Sequence, residues 1–466
     1  MDAAFSLAKN MLSVKYDDIP PDVLELTKKH ILDILGVTLG GSSRPGVREL
    51  AELIGEWGGK EESTVLCYGL KVPAPNAAQV NATMGHALDY DDTGDGPTHP
   101  SVIIMPTCLA MAESIGKISG RDFITAVTLG MDMMCRLGQS FRSGMKTSPI
   151  GGHPGAGWHL TPLFGYMAAA AVTGRILGLD EETLVNAMGI AYHQSSGNGQ
   201  CVNEGVLTKR MGPGFAARGG IVAALMAQKG ITGAKECLEG ELGLYNLYIK
   251  GEYNPEALTA KLGKYFAGTT VTMKPYPCCK GTHESVELAL SIVEKYQIKS
   301  EDVQEITLYC RDDDNFLVHP LEKRRHPENP VDSQFSIPWA VAVVFARGRA
   351  GVEDFTEEAI CSRDILDISD KIKVKKDTDL TSKSRELPVK IGVTTKQGQS
   401  YIEQTSRKDL GDSQTQLPWD AYERKFRDCA SCSIKPLPEK QLEEIVEHIK
   451  NLENIDDVRE LVQLLS

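Results

Sequence analysis

The chain has no surplus of basic residues. It holds 50 Lys and Arg against 63 Asp and Glu, which gives a formal net charge of −13. Broad contact with nucleic acid or an anionic membrane needs a continuous basic surface. We therefore expect neither partner. If the ligand is an anion, the basic residues that bind it must be local.

The sequence also lacks a long hydrophobic run. Its longest apolar stretch, residues 164–172, is rich in alanine and reaches about half the length of a membrane span. The first residues show no basic segment followed by an apolar one, the pattern of a secretory signal. These absences predict a cytoplasmic protein without a membrane-spanning helix.

Closely spaced cysteines are scarce. Eleven cysteines, an odd number, are spread along the chain, which favours reduced thiols over a disulfide framework. The close pairs are Cys278 with Cys279 and Cys429 with Cys432. No Cys or His follows Cys432 at a spacing typical of a metal or cluster site. We interpret most of the cysteines as small buried hydrophobic residues.

The length of the chain and a change in its hydrophobic period predict two domains. A chain of 466 residues exceeds the usual size of a single hydrophobic core. Residues 1–268 repeat apolar positions with the period of a helix, as in "IPPDVLELTKKHILDILGVTLGG". In residues 269–407 apolar positions alternate, as at Ile306, Leu308 and Cys310. Helical stretches such as "HESVELALSIVEKYQ" and "SIPWAVAVVFARG" separate these strands.

Residues 408–466 return to a helical pattern whose apolar stripe needs a partner surface. Packing against the first bundle would make the α+β unit an insertion, with a cleft between the two domains. The predicted fold is therefore mainly α: a large all-helical domain built from both chain ends, plus a smaller α+β lid domain.

The segment "HALDYDDTGDGPTHPS", residues 86–101, concentrates polar residues in one turn. A metal site would use His86, Asp89, Asp92 and His99, but their spacing matches no standard motif. A solvated loop is a second possibility. The third is proton transfer. Pro100 is placed to start a helix, so His99 would lie at a helix N-terminus, which favours a nearby anion and a less basic imidazole.

Three other glycine-rich or proline-rich turns also carry basic side chains. They are "GGHPGAGWHLTP", "GVLTKRMGPGFAARGG" and "MKPYPCCKGTHESVE", with His153, His159, Lys209, Arg210, Lys274, Lys280 and His283. None of them matches a P-loop or a dinucleotide fingerprint. Taken singly, each residue is more simply structural or exposed; His283 is expected to be structural and His30 to lie on the surface. Four such turns in one chain favour a shared site.

Five segments together resemble the MmgE/PrpD family. They are "GHALDYDDTGDGPTHPS", "GWHLTPLFGYMAAAA", "TKRMGPGFAARGG", "KPYPCCKGTH" and "QFSIPWAVAV", in this order across essentially the whole chain. The family includes 2-methylcitrate dehydratase, cis-aconitate decarboxylase and iminodisuccinate epimerase. The resemblance implies a site at the junction of the two domains, a homodimer, and no metal or organic cofactor. It also implies a small di- or tricarboxylate substrate.

The resemblance places six polar residues in the site: Asp89, Thr93, His99, His159, Lys209 and Lys274. All six positions carry the expected residue type. We expect His99 to be the principal acid and base, oriented by Asp89 and Thr93. His159 and Lys274 would assist proton transfer. Basic side chains in a dry cleft would stabilise the charge that develops when a proton leaves the carbon next to a carboxylate.

Lys209 is expected to bind a substrate carboxylate, and Lys280 and His153 are further candidates for substrate binding. The predicted function is a cofactor-independent lyase, either a dehydratase or a decarboxylase. An epimerase remains an alternative. That branch of the family is expected to use a tyrosine before His159, and residues 139–158 contain none. A non-catalytic binding protein on the same fold is a third hypothesis.

Overall fold

The computed structural model of the protein describes most of the chain. The described residues are 1–94, 96, 98–144, 157–310, 316–377, 380, 389–405 and 417–465. Helices predominate among them, which confirms the predicted mainly α fold. In these ranges, no helix is both long and apolar enough to cross a membrane.

Helices make up nearly all of the first part of the chain. The structure describes α1 Ala3–Ser13, α2 Pro21–Gly41, α3 Val47–Trp57, α4 Ala74–His86, α5 Ser101–Ile115, α6 Gly120–Gly144, α7 Leu160–Ile176, α8 Glu181–Gln194, α9 Gln200–Glu204, α10 Thr208–Gln228, α11 Leu244–Ile249 and α12 Pro255–Thr259. Apart from α9, whose Val202 belongs to a second core, their buried apolar residues form one large core. Pro21 and Asp22 occupy the first turn of α2, where proline and an acidic side chain are favoured, and Asp180 caps α8 through the amide of Thr183.

Close packing between α4, α7 and α10 fixes where the later site residues lie. A Cβ atom added at Gly214 of α10 would lie 2.5 Å from the carbonyl oxygen of Gln79 on α4. One added at Gly220 would lie 2.4 Å from the Cβ atom of Ala169 on α7. Only glycine permits such an approach. The first half of α10 is therefore held against the middle of α4, and its centre against α7.

A short two-stranded sheet interrupts the helices and was not predicted. Strand β1, Ser63–Val65, pairs antiparallel with β2, Leu70–Val72. Each strand has three residues, too few to show an alternating apolar pattern. The prediction that this part of the chain is helical is confirmed, except for this small sheet.

The predicted strands after residue 268 form one four-stranded sheet. The elements are β3 Val303–Cys310, β4 Ile372–Lys376, β5 Lys390–Thr395 and β6 Ser400–Gln404, with α13 Lys280–Tyr296, α14 Leu321–Arg325, α15 Pro330–Gln334, α16 Ile337–Arg347, α17 Glu357–Ile360 and α18 Arg363–Ser369. The order is β4-β3-β5-β6, with β3 and β4 parallel and the other pairs antiparallel. Ile306 pairs with both Ile372 and Val393. The sheet, α13 and α16 share a second core.

The C-terminal helices return to the first core. Helices α19 Trp419–Ser431, α20 Glu439–Lys450 and α21 Arg459–Leu464 contribute buried residues to it, and α19 packs along α2. The expectation of a helical domain built from both chain ends is thereby confirmed. Met273 belongs to the first core and Cys278 to the second. The boundaries at 268/269 and 407/408 stay predictions, and the latter lies outside the described residues.

Candidate active site

The turn between α4 and α5 carries the centre of the candidate site. Helix α4 ends at His86, and Pro100 is the N-cap of α5, so His99 lies just before a helix as the sequence predicts. Asp89 has a φ of 49°, the left-handed conformation that aspartate adopts more readily than most residues. This local bend directs both the carbonyl group and the carboxylate of Asp89 towards the same lysine.

Two buried lysines converge on the Asp89 carboxylate. Lys209 Nζ donates to Oδ1, while Lys274 Nζ donates to Oδ2 at 2.9 Å and to the Asp89 carbonyl oxygen at 2.8 Å. The exposed fraction of each of these three side chains is at most 4%. We call these residues the Asp89 cluster. It contains two ammonium groups and one carboxylate, so its formal charge is positive.

The groups of the cluster stabilise one another in their charged forms. Burial would raise the pKa of Asp89, but Lys209 and Lys274 outweigh it and hold the pKa well below its usual value. Burial would lower the pKa of Lys274, but Asp89 and then Asp91 outweigh it, so the pKa is raised. A second negative group, such as a substrate carboxylate, would complete the charge balance.

The ring of His99 is oriented by its neighbours in the turn. Its Nδ1 atom lies 2.5 Å from the carbonyl oxygen of Asp92. Because a carbonyl can only accept, Nδ1 carries the proton and Nε2 keeps a free electron pair. Burial lowers the pKa of His99 to about 3, although Asp91 acts in the opposite direction. The imidazole is therefore neutral at neutral pH and available as a base.

The groups that hold His99 differ from those predicted. Asp91 Oδ2 lies 3.5 Å from His99 Nδ1 and the Asp92 carbonyl accepts its hydrogen bond, whereas Asp89 is occupied by the two lysines. Thr93 instead forms a main-chain pair with Thr272, with N···O distances of 3.0 and 2.8 Å. The predicted orientation of His99 by Asp89 and Thr93 was wrong, because the turn directs Asp89 away from the ring.

Two more imidazoles lie beside His99. The rings of His86 and His99 are 5.2 Å apart, and those of His86 and His159 are 5.7 Å apart and nearly parallel. His86 Nδ1 contacts Asp91 Oδ2 at 2.8 Å. Its Nε2 is buried and has no hydrogen-bond partner within the described part of the chain. His86 was considered only as a metal ligand from the sequence, and the structure makes it the middle ring of three.

A metal ion bound here would compete with Lys209 and Lys274 for the Asp89 carboxylate. Ligand atoms of His86, Asp89 and Asp91 lie within 4.8 Å of one another, so the residue types suit a cation. However, Asp89 already binds the ammonium groups of Lys209 and Lys274. A metal ion would have to displace or repel both. Metal-independent chemistry stays a prediction, to be tested with a chelator.

The turn is also fixed from the α+β side and from the C-terminal helix. Tyr90 donates its hydroxyl to the carbonyl of Pro275 at 3.1 Å. Buried Lys425 of α19 donates to the carbonyl of Tyr90 at 2.8 Å and pairs with Asp33 of α2 at 2.7 Å. All three chain regions therefore meet at the Asp89 turn. Nothing in the sequence distinguishes Lys425 from an ordinary surface lysine on an amphipathic helix.

The remaining candidates lie elsewhere. Lys280, the first residue of α13, is exposed, and its substrate-binding role stays a prediction. His153 lies outside the described residues. His283 is buried, with Nε2 3.0 Å from the carbonyl oxygen of Cys278, in agreement with the structural role expected for it. The expectation for His30 was wrong: it is buried in α2, edge-on to Tyr422.

A positively charged cluster beside three imidazoles can bind a small anion and move a proton next to it. It lies where a helical bundle built from both chain ends meets an α+β unit. The fold and these residues define the class: a two-part, mainly helical protein with an acid–base site suited to an anionic ligand.

The chain belongs to the MmgE/PrpD family. Residues 6–256 match the MmgE/PrpD N-terminal domain and residues 276–451 match the MmgE/PrpD C-terminal domain. The resemblance found in the sequence motifs is thereby confirmed, and the matches cover both the helical bundle and the α+β unit.

Several relatives carry a named activity. The cis-aconitate decarboxylase of Aspergillus terreus is 26% identical, over 97% of this chain and 93% of that protein. The human cis-aconitate decarboxylase is 26% identical, over 99% of this chain and 94% of that protein. The 2-methylcitrate dehydratase of Escherichia coli is 23% identical, over 46% of this chain and 45% of that protein.

Proposed function

We propose that this protein is a cofactor-independent lyase acting on a small di- or tricarboxylate, such as cis-aconitate or 2-methylcitrate. The observation that carries the proposal is the Asp89 cluster, in which two buried ammonium groups share one carboxylate beside His99. Within the cluster the ammonium groups outnumber the carboxylate by one, and the neighbouring Asp91 carboxylate contacts His86 and His99 instead of a lysine; buried charges are stable only when paired. A carboxylate of the substrate supplies the missing charge.

His99 is the proposed acid and base. Its Nε2 holds the free electron pair, and its side chain is the more accessible part of the site, with 18% exposed against at most 4% for the cluster. A bound polycarboxylate brings negative charge that raises the imidazole pKa. The ring therefore becomes a better base when substrate arrives, and its conjugate acid can return the proton to the product.

Lys209 and Lys274 stabilise the negative charge that spreads onto a carboxylate when the neighbouring carbon loses a proton or carbon dioxide. Decarboxylation and dehydration develop similar charge, so one site supports either reaction. Similarity to cis-aconitate decarboxylases extends over nearly the whole chain, whereas similarity to the dehydratase covers about half. This difference favours decarboxylation as the first reaction to test.

The experiment is proton NMR in D₂O with EDTA-treated protein and a substrate panel. The panel contains cis-aconitate, 2-methylcitrate, citrate and iminodisuccinate. We expect turnover of one of them, with deuterium entering next to a carboxylate. Loss of carbon dioxide, formation of an alkene, or inversion without either would identify a decarboxylase, a dehydratase or an epimerase respectively.

The variant His99→Gln should lower the rate by about 10²–10⁴-fold, the usual contribution of a positioned acid or base. His193→Gln is the matched control, because His193 is exposed at the end of α8. A near-normal rate in His99→Gln would refute the assigned role. If no compound on the panel reacts but several stabilise the protein against heat, a binding protein becomes the better explanation.

The other predicted properties also remain proposals. We propose a homodimer in the cytoplasm, with no nucleic-acid or membrane partner. The net charge of −13 supports the last point, since nucleic acid and anionic membranes repel such a surface. Exposed apolar residues on the outer face of α10, among them Phe215 and Met226, support the homodimer.

A further inference from the structure

A cavity of about 160 Å³ lies where the helical part meets the α+β part. Arg44 and Pro45 from the turn after α2, Leu88 from the Asp89 turn, and Arg210 of α10 line one side. Pro277 and Gln334 line the opposite side. The Asp89 cluster itself is not part of the lining. The cavity is thus a separate compartment that adjoins the candidate active site through residues 87 and 88.

Two arginines face this cavity without a counter-ion. Arg210 is 2% exposed, and its Nη1 donates to the carbonyl oxygen of Pro45 at 2.9 Å. Arg44 Nε is buried and lacks a hydrogen-bond partner among the residues that the structure describes. Within those same residues, neither guanidinium forms an ion pair with a carboxylate. Burial lowers the pKa of Arg210 to about 10, and Arg44 acts in the same direction.

Such an arrangement is unfavourable unless an anion binds. A guanidinium that leaves water without an ion-pair partner loses hydration, which the one hydrogen bond of Arg210 to Pro45 replaces only in part, and two neighbouring guanidiniums repel each other. Carboxylate is a good geometric match for guanidinium, because two parallel N–H groups can donate to its two oxygens. Glu357 and Glu358 lie at the rim and are exposed. The charge of Glu358 favours the charged form of Arg44, but among the described residues no ion pair joins the two side chains.

We infer that Arg44 and Arg210 together bind the carboxylate group of a small organic acid in this cavity. The carboxylate has two possible sources, a separate small acid or the far end of a substrate held at the Asp89 cluster. In both cases the ligand contacts the turn after α2, the start of α10 and the α+β part at once. Lys209 precedes Arg210 on α10, so occupancy of the cavity also fixes the helix end that carries Lys209.

The test is isothermal titration of EDTA-treated full-length protein with succinate and, separately, with inorganic phosphate, in a buffer free of carboxylates. Binding is measured without turnover, so the outcome does not depend on the proposed lyase reaction. We expect succinate to bind more tightly than phosphate. Arg44→Gln should weaken succinate binding at least about tenfold, because a charged hydrogen-bond pair is lost.

Arg48→Gln is the matched control, since it removes the same charge from an exposed position of α3 close by. Arg44→Lys retains the charge but not the two-pronged geometry, and it should bind succinate with intermediate affinity. Succinate affinity in Arg44→Gln equal to that of the unaltered protein, or equal losses in Arg44→Gln and Arg48→Gln, would overturn the inference. Tighter binding of phosphate would refute its preference for carboxylate.

The source of the carboxylate is decided by Lys209→Met. If succinate still binds this variant with unchanged affinity, and Arg44→Gln removes that binding, the cavity holds a separate acid. If Lys209→Met and Arg44→Gln weaken binding of the same single molecule, the cavity holds the far carboxylate of a ligand that spans both compartments. Thermal unfolding of each variant, compared with the unaltered protein, verifies that it is folded.

Discussion

Asp91 lies between two imidazole rings and touches no lysine of the cluster at hydrogen-bond distance. Its Oδ2 is 2.8 Å from His86 Nδ1 and 3.5 Å from His99 Nδ1. A carboxylate in this position fixes the tautomer and the orientation of a catalytic histidine. We regard Asp91 as a positioning residue that acts through His86 and His99.

Asp91→Asn should lower kcat by about 10–100-fold, typical for the loss of such a partner, and leave KM nearly unchanged because the lysines stay in place. The matched control is Asp92→Asn. Burial, followed by the charge of Asp91, raises the pKa of Asp92 well above its usual value, and its carbonyl, not its carboxyl, contacts His99. Steady-state kinetics on both variants check this. An equal loss in both, or a change confined to KM, would contradict the role of Asp91.

His30 gives a prediction about pH. Burial lowers its pKa to about 3, below the usual 6.5. Between these two values the unfolded chain binds more protons than the folded protein, so the free energy of unfolding rises with pH. The contribution of His30 is fully present above about pH 6.5 and is lost as the pH falls below it, by at most about 1.4 kcal/mol per pH unit.

His30→Gln should therefore flatten the dependence of unfolding free energy on pH between about pH 4.5 and 6.5. Urea titrations at several pH values measure it. His193→Gln, an exposed position, should leave the slope as it is. A His30→Gln protein whose stability falls as steeply with acid as that of the unaltered chain would contradict the assignment.

Residue identity allowed part of the site to be predicted. Asp89, His99, Lys209 and Lys274 were each indicated by a polar turn and by the family resemblance, and three of them form one buried cluster. Which aspartate faces which partner was not predictable. The left-handed bend at Asp89 turns the Asp89 carboxylate towards the lysines, while Asp91 contacts the imidazole rings of His86 and His99. The segment "DYDD" alone does not specify that bend.

At the scale of elements, helix α19 stabilises the site turn from outside. Lys425 is 4% exposed and is the ion-pair partner of Asp33, which is fully buried. Lys425→Met leaves that carboxylate unpaired, and the loss of one partner of a buried pair costs about 3–5 kcal/mol. We expect a decrease of this size in the free energy of unfolding, measured by urea titration with tryptophan fluorescence.

The double variant Lys425→Met, Asp33→Leu separates charge from packing. It removes both charges, so it should recover much of the stability that Lys425→Met loses. If the double variant is no more stable than the single one, the loss of stability comes from altered packing of α19 on α2 and not from the broken ion pair.

Element types were predictable where periodicity was long enough. Ile306 and Leu308 alternate within β3, and Val389, Ile391 and Val393 mark the region of β5. Strands β1 and β2 have three residues each and carry no such signal. Their pairing depends on contacts with α4: the Asn81 side chain accepts from the amide of Leu66 and donates to the carbonyl of Thr64, which no local pattern reveals.

At the scale of the whole molecule, charge is distributed unevenly. The net charge is −13, yet four buried or half-buried cations, Lys209, Arg210, Lys274 and Arg44, gather where the two parts meet. A negative surface with a local positive interior favours small anions over polyanions, because a small ligand can enter the junction and a polymer cannot. The sequence predicted only that basic residues binding an anion must be grouped locally. It could not predict where they lie, because composition does not locate charges in space.

Helix α10 links this junction to a possible subunit interface. While Lys209 and Arg210 point inwards, its outer face carries Leu207, Met211, Phe215, Val222 and Met226 at helical spacing. Leu207, Phe215 and Met226 are 38–40% exposed. The adjacent α3 adds Leu53 and Trp57, which are 41% and 54% exposed. Arg218 lies among these residues, with its guanidinium 5.4 Å from the ring centroid of Trp57. Exposed apolar residues grouped on neighbouring helices are typical of a site for another protein surface, and in a homodimer that surface is a second copy.

We therefore expect Phe215→Glu to convert a dimer into a monomer, because it would bury one unpaired carboxylate from each copy in the interface. Light scattering measures the mass, with 50.8 kDa expected for one chain and twice that for the unaltered protein. Ile402→Glu is the control: Ile402 is 57% exposed on β6, far from α10 in the fold.

If the unaltered protein is monomeric, or if Phe215→Glu stays dimeric, this face is not the interface. A monomeric variant that also loses turnover would indicate that the partner subunit holds α10, and with it Lys209, in position.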